Sequence, residues 1–84
     1  MKRPAIYEIV WDDACLWSDT KTATDAATLG LLRLNGTGYL VARTKTTITL
    51  AEEWCGGRNE FRHIHVFPLS CTRRVRRVDR GGEL

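Results

Sequence analysis

Eighty-four residues allow one hydrophobic core and leave too little chain for a second, so residues 1–84 read as a single small domain whose last residues, 79–84, form a flexible end. Thirteen Lys and Arg against ten Asp and Glu give a formal charge of +3, too modest to demand a nucleic-acid partner on its own. No run approaches the roughly 20 apolar residues that span a bilayer, and Lys2 and Arg3 lead into alternating residues rather than the apolar run of a signal peptide. A cytoplasmic protein with no membrane contact is the expectation.

The first strand is expected over Ala5–Trp11, a run of β-branched and aromatic residues in which Tyr7, Ile9 and Trp11 share one face and Ile6, Glu8 and Val10 the other. Asp12 and Asp13 are expected to finish it; as neighbours on an extended chain they point to opposite faces and do not make a paired-carboxylate site. Residues 21 to about 33 are the one helix candidate, with Thr22 as the cap and Asp25 in its first turn, although threonines and Gly30 lower its propensity. Asn35-Gly36 signals a turn. Tyr39–Ala42 and Thr46–Ala51 form a hairpin around residues 43–45, with Ile48 and Leu50 facing the core. Glu52 to Glu60 reads as a glycine-containing loop, Phe61–Phe67 as a strand ended by Pro68, and residues 71–78 as a last strand or helical turn. The expected fold class is mainly β with one short helix, a meander curled into a small barrel that hides most strand edges. The edges left over suggest a homo-oligomer.

Cys15, Cys55 and Cys71 are widely spaced and include no CxxC, which argues against a disulfide scaffold. Cys15 and Cys71, beside apolar neighbours, read as buried thiols, and Cys55, before Gly56-Gly57, as a more exposed one.

The segments Val10-Trp11-Asp12-Asp13-Ala14, Gly38-Tyr39-Leu40-Val41 and Ile48-Thr49-Leu50-Ala51, then Phe67-Pro68, Val75 and Val78, resemble in their order a group of small phage and prophage proteins. That likeness implies an accessory or host-interaction protein of an infected or prophage-bearing bacterial cell. Phe67 and Thr72 depart from the group's pattern. The rhythm of strands also resembles an SH3-like or Sm-like small barrel. No clear Asp-containing and Arg-Gly or Lys-His signature of Sm-like RNA sites stands at a convincing position, so ring formation and RNA specificity do not carry over.

Charge is distributed unevenly. Residues 1–42 carry a net charge of −1 and residues 43–84 a net charge of +4, with Arg73, Arg74, Arg76, Arg77 and Arg80 crowded near the end. Arginines bind phosphate oxygens through several donors at once and stack on bases. The candidate phosphate or nucleic-acid site is therefore Arg73, Arg74, Arg76 and Arg77, extended by Arg58 and Arg62 with Trp54 as a stacking surface. The bland alternative is a solvated strand that keeps the chain soluble. His63 and His65 share a face by the two-residue period, but no Cys, Asp or Glu set completes a metal site, and no cofactor is expected. No phosphate loop, nucleophile elbow or hydrolase set occurs. The expected function is a non-enzymatic module that binds RNA, DNA or a phosphorylated small molecule. The alternative is a structural or host-protein interaction module using an edge strand, Trp17 or Trp54.

Overall fold

The computed structural model describes residues 2–13 and 18–83. In chain order these form β1 (Lys2–Arg3), β2 (Ile6–Asp13), α1 (Ala23–Ala26), β3 (Leu32–Arg43), β4 (Thr47–Cys55), β5 (Glu60–Pro68), a single 3₁₀ turn (Leu69–Cys71), β6 (Thr72–Asp79) and β7 (Gly82–Glu83). Five strands make one antiparallel sheet in the order β5-β4-β3-β2-β6, and β1 pairs with β7 in a separate two-stranded ribbon.

Strand β3 shapes this sheet. Near one end Leu34 lies opposite Trp11, and at the other Arg43 lies opposite Ile48, which in turn faces Phe67. Along straight backbone Leu34 and Arg43 would stand about 30 Å apart, yet the Trp11 and Phe67 rings meet edge to face at 4.7 Å. β3 must therefore bend, laying the inner face of β4 and β5 on that of β2. The register shift between Leu40 and Ala42 loosens the ladder for this. Glycine permits the close approach. A Cβ at Gly36 would sit 3.3 Å from the Trp11 indole, and one at Gly38 only 2.8 Å from the Ala51 carbonyl oxygen. The Asn35-Gly36 signal thus marks close packing inside a strand, not the expected turn.

The core lies in this fold of the sheet. Ile9 and Ile48 are fully buried, Leu50 and Phe67 nearly so, and Tyr7, Trp11, Leu40, Leu69 and Val75 pack around them. Burying each large apolar side chain contributes roughly 1.5–3 kcal/mol, so these four residues make a small core. The radius of gyration, 16.7 Å, exceeds the roughly 12 Å of a compact chain of this length.

The barrel expectation is overturned. Strands β5 and β6 end the sheet and no ladder joins them, so the two sheets stay open and neither an SH3-like nor an Sm-like barrel is formed. Closure needs a stagger that carries the hydrogen-bond ladder round to the first strand. Here the two halves meet instead through side chains, with Trp11 against Phe67 and His65. What holds is the coarser reading, mainly β with one short helix.

That helix is shorter than expected. Thr22 caps it, its Oγ1 accepting the Asp25 N–H at 3.1 Å, but only Ala23–Ala26 are helical. Residues 18–33 are exposed throughout, so no apolar face is buried to carry the helix past its first turn. The hairpin between β3 and β4 falls where expected. The Thr44 hydroxyl oxygen accepts the N–H groups of Thr46 and Thr47, and the Thr44 N–H reaches the Thr47 carbonyl. The expected loop over 52–60 is largely strand: β4 runs to Cys55 and a tight turn, with Asn59 at φ 53°, returns the chain at Glu60. Cys71 is exposed beside Ser70 rather than buried, like Cys55. Cys15, Leu16 and Trp17 lie outside the described residues.

The β1 and β7 ribbon keeps the register of the terminal β2/β6 pair: Ile6 faces Asp79, Arg3 faces Gly82 and Lys2 faces Glu83, whereas from Tyr7/Arg77 to Val10/Arg74 the ladder is shifted by one residue. Pro4, with no N–H to donate, and Gly81, at φ +75°, fall in the gap. Asp79 bridges it, accepting the Gly81 N–H at 2.8 Å and an Arg3 guanidinium N–H at 2.5 Å. These two bonds, the backbone one first, hold the Asp79 carboxyl below its ordinary value.

Candidate functional site

Strands β3, β2 and β6 turn one face to the core and the other outward. On β2 the two-residue period puts Tyr7, Ile9 and Trp11 inward, and their partners on β6, Arg77, Val75 and Thr72, lie on that same side. Glu8, Val10 and Asp12 point outward, beside Arg76 and Arg74 on β6 and Arg33 on β3. Arg73 belongs to neither set, because it occupies the irregularity between the Val10/Arg74 and Trp11/Thr72 pairs. Such a bulge re-aims a side chain. Here it turns Arg73 onto Asp12.

Asp12 sits between two arginines. Its Oδ2 accepts from Arg73 Nε at 2.6 Å and its Oδ1 from Arg33 Nε at 3.2 Å. Glu8 Oε2 accepts from Arg76 Nη2 at 3.3 Å. The hydrogen bond from Arg73, more than any other interaction, holds the Asp12 carboxyl below the usual carboxylate value, with Arg33 adding to it. Both arginines reach Asp12 through Nε, which leaves the other N–H donors of each guanidinium for a second acceptor. Arg74, opposite Val10, has no carboxylate partner among the described residues. Four guanidinium groups and two carboxylates thus share one outward face. The Asp12 side chain is 14% exposed while those of Arg33 and Arg73 are 58% and 59% exposed, so the anion is covered and the cations are presented.

The sequence-level cluster is divided by the fold. Arg73, Arg74 and Arg76 come together on the outward face, and Arg77 lies on the opposite one beside Tyr7. Arg58, Arg62 and Trp54 line a hollow of about 400 Å³ at the tip of the β4 and β5 hairpin, with β3 and β2 between them and β6 in the sheet order. There Arg62 Nη2 donates to Glu53 Oε2 at 2.6 Å, which pulls the Glu53 carboxyl down and pushes the guanidinium up. Trp54 is engaged within the fold: Nε1 donates to Asn59 Oδ1 of its own hairpin at 3.1 Å and the ring leans on Tyr39 of β3. Arg33 and Asp12 were missed as parts of the charged face. The signal lay in Asp12 and Glu8 alternating on β2, but pairing them with β6 requires the long-range register.

The two histidines diverge. His65 stacks on Phe67 at 3.9 Å, and His63, at φ 55°, turns its Nε2 to Glu53 Oε1 at 3.1 Å. Among the described residues no group of three His, Cys, Asp or Glu converges as a metal site. A second hollow, of about 220 Å³, lies inside the bend between Trp11, Gly36, Leu50, Glu52, His65 and Phe67. No described helix is long and apolar enough to cross a membrane.

No protein-family model, curated protein or solved structure matches the chain. The likeness to phage and prophage proteins has no match behind it and is withdrawn together with the barrel. What the molecule itself defines is an open β-sheet protein with an arginine face ordered by two carboxylates.

Proposed function

We propose that this protein is a non-enzymatic binding module whose outward β3-β2-β6 face takes up the phosphate backbone of a nucleic-acid strand. The observation that carries the reading is the double clamp of Asp12 on Arg33 and Arg73, with Arg74, which has no carboxylate partner among the described residues, beside them. A guanidinium held through Nε loses less side-chain freedom when a phosphate arrives, and it keeps Nη donors for that phosphate. Arg74 and Arg76 project from the same side of β6 about 7 Å apart, the repeat of two residues on an extended strand.

A strand of nucleic acid fits this face better than a phosphorylated small molecule, because the arginines spread over β3 and β6 and reach beyond the hollow of about 300 Å³ that Asp12, Leu31, Arg33 and Arg73 line. The base-stacking residue expected from the sequence, Trp54, belongs to another part of the fold, so contacts would fall on phosphates and carry little sequence preference. The test is a salt titration by fluorescence anisotropy with single-stranded DNA, RNA and duplex DNA. Binding at low salt that disappears when Arg33, Arg73, Arg74 and Arg76 are all replaced by Ala, with far-UV circular dichroism unchanged, is expected. No binding to any of the three at low salt, or undiminished binding by the fourfold variant, rejects the reading.

A further inference from the structure

We propose that β5 is the seam of a homodimer, pairing antiparallel with β5 of a second copy about a two-fold axis at His65. This surface is separate from the arginine face and the inference does not depend on the nucleic-acid reading.

An open sheet has two edges, and here they differ in chemistry. The β6 edge carries Arg73, Arg74, Arg76 and Arg77 against one acid, Asp79. Pairing it with its own copy would set like charges against each other, which disfavours the contact. The β5 edge carries one acid, Glu60, and one arginine, Arg62, and that arginine is already matched by Glu53 across β4. From His63 to Phe67 it has no Lys, Arg, Asp, Glu or Pro, the residues that normally guard an exposed edge. Its outward face there is aliphatic: Ile64 and Val66 are each 54% exposed.

The strand is also self-complementary in register. With the axis at His65, Ile64 lies opposite Val66 of the second copy and Val66 opposite its Ile64, giving four aliphatic side chains in one strip. Arg62 then faces Pro68 and His63 faces Phe67, so no two arginines or carboxylates oppose one another. Such pairing satisfies the free N–H and C=O groups of both edges and extends the sheet across the axis, while covering the largest aliphatic exposure on any strand edge of the described chain. Charge selects the partner: a neutral edge of this kind accepts its own copy, whereas the basic β6 edge repels its own.

Sedimentation equilibrium, on protein treated with nuclease and washed in high salt so that nucleic acid cannot bridge two copies, reads the outcome. A reversible monomer-dimer equilibrium in the micromolar range is expected. I64K and V66K should each weaken association at least tenfold, and V78K, which puts the same charge on the β6 edge, should leave it unchanged. Circular dichroism checks folding; should either Lys variant unfold, I64T and V66T replace it, with association expected to weaken severalfold. A parent protein that stays monomeric throughout, a dimer that survives the β5 substitutions, or a dimer lost equally in V78K would overturn the proposal.

Discussion

Replacing Arg74 and Arg76 together by Ala tests the arginine face most directly, because both project from one side of β6 and neither contributes to the core. If Arg33, Arg73, Arg74 and Arg76 each engage one phosphate of a single strand, log K falls with log[salt] at a slope of about −2.8, from about −0.7 per phosphate. A fourfold rise in salt then weakens binding about 50-fold. With Arg74 and Arg76 removed the slope drops to about −1.4 and the same rise in salt costs only about sevenfold. Anisotropy titrations with a labelled oligonucleotide at several salt concentrations measure both slopes. Arg58→Ala with Arg62→Ala, at the hairpin tip, is the control and should leave the slope unchanged. A parent slope retained by the Arg74 and Arg76 variant, or an equal loss in the hairpin variant, would show that the outward face of β6 is not where phosphate binds.

Other expectations concern the fold that carries this face. Asp12 has its folded-state pKa depressed, so its stabilising contribution is present above the ordinary carboxylate value near 3.8 and is lost as pH falls through the folded value. D12N should therefore flatten part of the acid limb of the stability profile, read as urea midpoints across a pH series; an unchanged limb would contradict the clamp. Phe67→Ala removes the ring that joins the two halves of the sheet and should cost about 3–5 kcal/mol in urea unfolding; a loss below about 1 kcal/mol would mean that Trp11 and Phe67 do not define the core. Gly38→Ala should destabilise by about 1–3 kcal/mol, since its Cβ has the Ala51 carbonyl and Leu50 to push against; a neutral result would deny the close approach in β3.

The local parts of this structure were legible in the sequence. Periodicity grouped Tyr7, Ile9 and Trp11 on one face without telling which face is inward, it gave the core pair Ile48 and Leu50, and Thr22 starts the helix where its hydroxyl can cap. What could not be read locally depends on register between distant strands. Asn35-Gly36 looks the same to a local rule whether the glycine serves a turn or the underside of an indole, and only Trp11 lying opposite Leu34 decides between them. The arginine run reads as one patch in the sequence because adjacency along the chain does not show which face of a strand each side chain occupies. Strand alternation sends Arg77 to the far side, the bulge turns Arg73 to Asp12, and Arg33 joins from a strand that held only one basic residue ahead of Arg43. Barrel closure was the least legible feature, since it depends on whether two edges meet and neither edge records that in its own residues.

The register that the β1 and β7 ribbon shares with the Ile6/Asp79 pair has a mechanical consequence. Lys2 and Glu83 lie side by side, so tension applied to these two points acts across the ladder rather than along it. Inter-strand hydrogen bonds in an antiparallel pair run perpendicular to the strands, and a pull in that direction opens them one rung at a time. Force would open Lys2/Glu83 and Arg3/Gly82 first, pause at the Arg3 and Asp79 ion pair, then pass through Ile6/Asp79 toward Ile9/Val75. The molecule should therefore unzip at low force from these ends, whereas a pull on residues in β4 and β6 would have to shear several strands at once.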